Sequence, residues 1–251
     1  LVESSPDLSA AVRRTHFFQF DDYRLPLHSA ASFRYLLCKH FFFPIAHHCD
    51  AEKVHLLHSD APDPERACAD YGDLILAHGP DLQLKGTGEN GHWGFHEPGM
   101  PLDAAPGFHR VKLSRENITQ QMRDHPALFP SPKDVPSEAF TANVPLFMRT
   151  RVLIEDNVPQ GSKAFALLAA YGSDSIDPAV PSSALKRHAY AIVRATSASA
   201  WALLQYREKG VVSSAMLDQL AASVSRGRMA TPKQIRNSMR DVLRTMDIAV
   251  A

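Results

Sequence analysis

The stretch from Ser182 to Lys209 constrains this chain more than any other. Pro181 and two serines open it, and Gly210 closes it. Between them Leu185, Ala189, Ile192, Val193, Thr196, Ala200, Leu203 and Leu204 recur at helical spacing, the pattern of one apolar stripe on a long helix. Small residues fill much of the remaining surface, so neighbours can approach from several sides. The stretch predicts a central, mostly buried helix.

Three more helices are expected around it. One runs from Gly161 to Tyr171 and stops at Gly172. Another begins near Ser213 or Ser214, carries Met216, Leu217, Leu220, Ala221 and Val224, and has Gly227 as its C-cap. The last has the clearest start in the chain: Thr231 as N-cap, Pro232 at the first helical position, and Gln234 completing a capping box. Ile235, Met239, Val242, Leu243 and Met246 follow as its stripe. Four helices joined by short turns predict a four-helix bundle-like unit at the C-terminal end.

Upstream the pattern is mixed. Ser29 to His40 and Ala51 to His58 read as helices, with Phe41-Phe42-Phe43-Pro44 as an apolar stop between them. Asp73 to His78 and Asp81 to Lys85 read as strands around a Gly79-Pro80 turn, and His92 to His96 and Phe108 to Leu113 as two more. Ser114 caps a helix from Arg115 to Arg123. Residues 125–160 hold six prolines around one strand from Met148 to Ile154, a composition that reads as an extended strap. The expected class is α+β: a mixed α/β region over 1–124, a Pro-rich extended connection over 125–160, and a helical domain over 161–251.

Charge is balanced overall but not along the chain. Residues 182–251 hold eleven Lys/Arg against four Asp/Glu, and residues 1–181 hold sixteen against twenty-three. A basic C-terminal surface meets something acidic: a partner subunit, lipid head groups or RNA. Arg236, Arg240 and Arg244, spaced by four opposite the apolar stripe, form the candidate partner-binding face. No segment reads as a transmembrane helix. The best window, Ala189 to Tyr206, carries Arg194 and is mostly Ala and Ser.

Chemistry-bearing residues are scattered. The three cysteines, Cys38, Cys49 and Cys68, lack C-x-x-C spacing and read as reduced thiols. His47, Cys49, His55 and His58 form the richest metal-like cluster, with ligands suited to zinc or iron, and no other cofactor is called for. Gly86-Thr87-Gly88-Glu89-Asn90-Gly91 is a literal G-x-G-x-x-G after a strand, but His92-Trp93-Gly94-Phe95 is not the helix a dinucleotide site requires. It reads as a hairpin tip or loop. Asp21-Asp22 and Glu155-Asp156 read as ordinary loop or strand-end charges. No G-x-S-x-G elbow is present.

With no coherent active site, the expected function is a non-catalytic accessory or structural subunit of a large multi-protein assembly, partnered by other protein subunits. The chain begins at Leu1 instead of Met, which suggests removal of a targeting segment and a mitochondrial complex: respiratory chain, ATP synthase or ribosome. Three alternatives share these features: a viral capsid or nucleocapsid protein, in the virion or cytoplasm; a metal-dependent enzyme using the His47–His58 cluster; and an RNA-binding component using the basic C-terminal helix.

Overall fold

The computed structural model describes residue 2, residues 4–225 and residues 230–251. Leu1, expected as a processed terminus, and Gly227, expected as a helix cap, lie outside the described residues. In chain order the elements begin with α1 (Pro6–Arg14), β1 (Phe17–Phe18), β2 (Asp21–Tyr23), α2 (Phe33–Leu37), β3 (Val54–His55), α3 (Pro64–His78), β4 (Leu82–Lys85) and β5 (Phe108–Lys112). They continue with α4 (Arg115–Asp124), β6 (Glu138–Ala142), α5 (Val144–Phe147), β7 (Val152–Asp156), α6 (Ala164–Tyr171), β8 (Ala191–Arg194), α7 (Ser197–Lys209), α8 (Ser214–Ser225) and α9 (Pro232–Thr245).

Two three-stranded sheets organise the molecule. One is antiparallel in the order β2-β6-β5, and the other is parallel in the order β4-β7-β8. The parallel register pairs Leu84 with Ile154 and Lys85 with Glu155, and carries Ile154 across to Ile192. A parallel pair needs a crossover. Here α6 supplies it between β7 and β8. Its sequence, AFALLAAY, is apolar on every side, and residues 164–170 are all buried. It packs between α7, α8 and α9 and the parallel sheet, where Leu153 is fully buried.

The C-terminal four-helix bundle is therefore a correction. The Ser182–Lys209 stretch is not one helix but a 3-10 turn over Pro181–Arg187, strand β8, and helix α7. Ile192 and Val193 are β-branched and join the open edge of β7. Thr196 then forms a reciprocal capping box with Ser199 and starts a new helix. The helical spacing was shared by residues that belong to three elements.

Three further expectations change. Asp73–His78 is the second half of α3, which Asp63 caps through Arg66 N–H, Pro64 opens, and Gly79 at φ 60° closes. A six-residue apolar run cannot by itself distinguish strand from helix. Ala51–His58 becomes one 3-10 turn and strand β3. The Pro-rich strap also gives way: its residues build β6, α5 and β7, and Ala139, Phe140, Ala142 and Val144 are 0–1% exposed. Pro145 sits in the first turn of α5 below the Asn143 cap, where a missing N–H is harmless. Helices α4 and α9 start at Ser114 and Thr231 as their spacing predicts.

Candidate active site

Ligands of open parallel sheets bind beyond the carboxyl ends of the strands. Here β4 and β7 end at Lys85 and Asp156, and a cleft of about 310 Å³ opens there. Gly86, Thr87, Gly88 and His92 line it from the loop after β4, Asp21 from β2, Gln120 and Gln121 from α4, and Asn157 and Lys163 from the segment before α6. A larger cavity of about 460 Å³ shares the Phe20–Asp21 wall but is mostly apolar, walled by Phe18, Leu36, Leu37 and Phe41 with Gln19 and His40 among them. The polar chemistry lies in the smaller cleft.

The loop over residues 86–99 is folded on itself. Gly88 N–H donates to the His92 carbonyl, and Gly91 N–H donates to Gly88. A Cβ on Gly88 would stand 2.1 Å from the His92 ring, so only glycine lets that imidazole lie flat against the loop. Gly94, at φ +61°, brings its backbone against Thr141 and the Asp21 carboxylate. Trp93 is fully buried, stacked on Phe147 with ring centroids 5.0 Å apart.

The orientation of His92 is set by its neighbours. Its Nδ1 lies 2.7 Å from Asn90 Oδ1, and Asn90 Nδ2 donates to Glu97 Oε2 at 3.2 Å. Glu97 also accepts from Ser114 and Asn117. An amide oxygen only accepts, so His92 Nδ1 carries the proton and Nε2 keeps its lone pair. Burial, reinforced by the Lys163 and Lys85 ammonium groups, lowers its pKa to about 3. The ring is neutral near pH 7. His96, four residues on, is occupied structurally: Val144 N–H donates to its Nδ1.

Asp21 and Asp22 are neighbours with different tasks. Asp22 is fully spoken for, accepting from Ser32 Oγ, Phe33 N–H and Arg34 N–H at the start of α2. Asp21 is 9% exposed, and its carboxylate has no hydrogen-bond partner among the described residues. Burial, with the Asp22 charge second, holds its pKa well above the ordinary carboxylate value. A buried carboxylate that faces a cleft without a partner is poised to take a proton.

Lys163 is the complementary charge. It is 8% exposed and lines the same cleft at the start of α6, with no ion pair among the described residues. Burial lowers its pKa, with Glu89 and Asp124 opposing. Nearby, Arg123 grips Glu89 through both terminal guanidinium nitrogens, at 3.1 and 2.6 Å. Beneath the loop, Lys85 and Glu155 form an ion pair of which neither side chain is exposed. Tyr171 and Asn157 also donate to Glu155, and the Lys85 ammonium lies 4.4 Å from the Trp93 ring centroid.

The residues expected from sequence to hold a metal are dispersed. His58 Nδ1 meets the Arg34 guanidinium at 2.9 Å. The His47 ring lies tilted against His48, and Cys49 ends the 3-10 turn that carries both. His55 instead joins His16 and His78. Of the basic face, Arg236 pairs with Asp218 on α8 at 3.0 Å, Arg240 is half-buried and Arg244 is exposed. The site residues that sequence reasoning missed are Asp21, His92 and Lys163. Their signal was a glycine loop directly after a strand, followed by His and Glu, with Gly161-Ser162-Lys163 at a helix start.

No family profile matches the chain. Glucosamine-6-phosphate deaminase of Shouchella clausii is 32% identical over 193 residues, spanning 75% of this chain and 73% of that protein. The solved structure of a monomeric glucosamine-6-phosphate deaminase superposes with a TM-score of 0.70 at 26% identity, covering 80% of this chain and 79% of that one. The 6-phosphogluconolactonase of Trypanosoma brucei, at 15% identity and a TM-score of 0.55 over 79% of this chain and 82% of that one, shares the fold alone. These relatives overturn the expected accessory subunit and its capsid and RNA-binding alternatives, because they are metabolic enzymes acting on a sugar phosphate; the metal-enzyme alternative loses its His47–His58 cluster to the dispersal of those side chains. A bacterial relative likewise removes the ground for a mitochondrial or virion setting. A relative that is monomeric removes the ground for partner subunits of a large assembly, and the helix expected to meet acidic lipid or RNA instead spends Arg236 on Asp218 of α8. By sequence and by fold, the chain belongs to the glucosamine-6-phosphate deaminase family.

Proposed function

We propose that the cleft converts a 2-amino sugar phosphate and water into a ketose phosphate and ammonia, with glucosamine 6-phosphate as substrate. The observation that carries this reading is one cleft holding a buried carboxylate, Asp21, and a buried ammonium, Lys163, neither with a side-chain partner among the described residues. A phosphate dianion suits Lys163 and the positive end of α6. Removal of the amine requires a proton to pass from C2 to C1 of the open sugar, which turns the C2 amine into an imine that water hydrolyses. Asp21 is the base for that transfer. His92, neutral with a free Nε2, takes the proton from the C1 hydroxyl as the sugar ring opens, and the Asn90–Glu97 pair holds the imidazole in that tautomer.

Incubation of the purified chain with glucosamine 6-phosphate tests this, with ammonia and fructose 6-phosphate measured by separate coupled assays. Equal amounts of both products are expected. Lys163→Ala should raise KM by about tenfold or more, since a charge-assisted hydrogen bond contributes about 1.5–3 kcal/mol. Hydrolysis of 6-phosphogluconolactone with no ammonia from the amino sugar would overturn the reading in favour of lactonase chemistry.

A further inference from the structure

Three histidines from separate elements meet on the flank of the N-terminal segment, away from the cleft. His16 precedes β1, His55 lies on β3, and His78 is the last residue of α3. The parallel pairing of β1 with β3 sets Phe18 opposite His55. One nitrogen from each histidine lies within 4.8 Å of the others, and His16 Nδ1 stands 3.0 Å from His55 Nε2. The rings are mutually packed, with centroids 4.9–5.4 Å apart. Phe18 stacks on His55 and sets its edge to His78, giving the cluster an apolar floor.

We propose that His16, His55 and His78 bind a divalent transition-metal ion of the zinc class, at a site distinct from the catalytic cleft. Tetrahedral zinc with bonds of about 2.0–2.1 Å separates its nitrogens by about 3.3 Å. Side-chain rotations alone therefore close the cluster on an ion. The tautomer of His78 is already correct: its Nδ1 lies 2.9 Å from the Leu74 carbonyl, which only accepts, so Nε2 keeps the lone pair. A ligating histidine commonly donates its other N–H to a backbone carbonyl in this way. The end of α3 is also the negative end of its helix dipole, which favours a cation. Two of the three histidines are exposed, which leaves the fourth coordination position to water.

The ion would be a clamp, not a catalyst. The Tyr71 hydroxyl accepts from Gln19 N–H at 2.9 Å and donates to the His55 carbonyl at 2.8 Å. Gln19 lies two residues before Asp21. Closing the three histidines on a metal ties α3, β1 and β3 together beside the strand that carries the base.

Calorimetric titration of the chelator-treated, tag-free protein with zinc chloride tests the proposal, with cobalt(II) absorption reporting the ligands. One equivalent is expected to bind with a rise in Tm, and cobalt should give a tetrahedral spectrum without a thiolate charge-transfer band. His16→Gln and His78→Gln, both at exposed positions, should each weaken binding by at least about tenfold. A His47→Gln, Cys49→Ser double variant should bind as the parent does. X-ray absorption of the parent zinc complex should count three imidazoles and does not depend on any variant folding. No stoichiometric binding, loss of binding in the His47/Cys49 variant, or a sulfur ligand in the spectrum would each overturn it.

Discussion

At the scale of single residues, the site is defined by polar groups left without partners among the described residues. Asp22 shows what a satisfied aspartate looks like here, with three donors on one carboxylate. Asp21, beside it, has none among the described residues. That difference has a thermodynamic signature. The folded-state pKa of Asp21 is raised, so in the window above the ordinary carboxylate value the native protein holds more protons than the unfolded chain. Stability then falls as pH rises through that window, because the native state must bury an ionised carboxylate. Asp21→Asn should abolish turnover yet raise Tm. The gain over the parent should be small at pH 4 and grow as pH rises through the folded pKa of Asp21 towards neutrality. Thermal melts of the two proteins over pH 4–8 check this. A Tm difference that is flat in pH, or a loss of stability, would contradict the assignment. On the activity side, the acid limb of the rate profile should lie above the range of a free aspartate, since only the ionised form accepts a proton.

At the scale of elements, the loop after β4 is the part that sequence reasoning came closest to and set aside. Its glycines were visible, and its reading as a loop matches the observed turns at Gly88 and Gly91. The dinucleotide template demanded a helix next, and the chain supplies a second turn around Trp93 and His96 instead. Nothing in the local pattern shows that Asp21, from a strand of another sheet, comes to rest against Gly94. That contact is a product of topology. Capping signals were legible for a different reason: Ser114 and Thr231 act on residues three positions away, so a window of a few residues contains the whole interaction. The Ser182–Lys209 stretch misled because Ile192 and Val193 fit a helical stripe in sequence and a parallel strand in space. Gly88→Ala tests the loop directly. The added Cβ would stand 2.1 Å from the His92 ring, so the imidazole must turn away from its Asn90 bond. We expect an intact fold by circular dichroism and a kcat reduced by at least about tenfold, the lower bound of what a general acid–base group contributes being higher still.

At the scale of the molecule, the cleft exists because two sheets and one buried helix meet over a charged centre. Lys85 on β4, Glu155 on β7 and Tyr171 at the end of α6 converge there, and Ser182 and Thr87 accept from the same ammonium. Loss of one partner leaves an uncompensated charge in the interior, which costs about 3–5 kcal/mol. Glu155→Gln should therefore lower Tm by roughly 10 °C, given about 2–4 °C per kcal/mol for a chain of this size. Replacing both partners, Lys85→Met with Glu155→Leu, should be milder than either single change. Equal or additive damage would mean that the pair contributes independently of its mutual attraction.

The same knot of charge limits how the molecule can be rebuilt. A designer wishing to graft the glycine loop of another enzyme onto this scaffold would cut it out between Lys85 and Gly99. That would replace the Trp93 ring on which the Lys85 ammonium rests. The loop, the foot of β7 and the tail of α6 are therefore one inheritable module. Chimeras that exchange all three together should fold, and those that exchange the loop alone should arrive with a stranded cation beneath the catalytic floor.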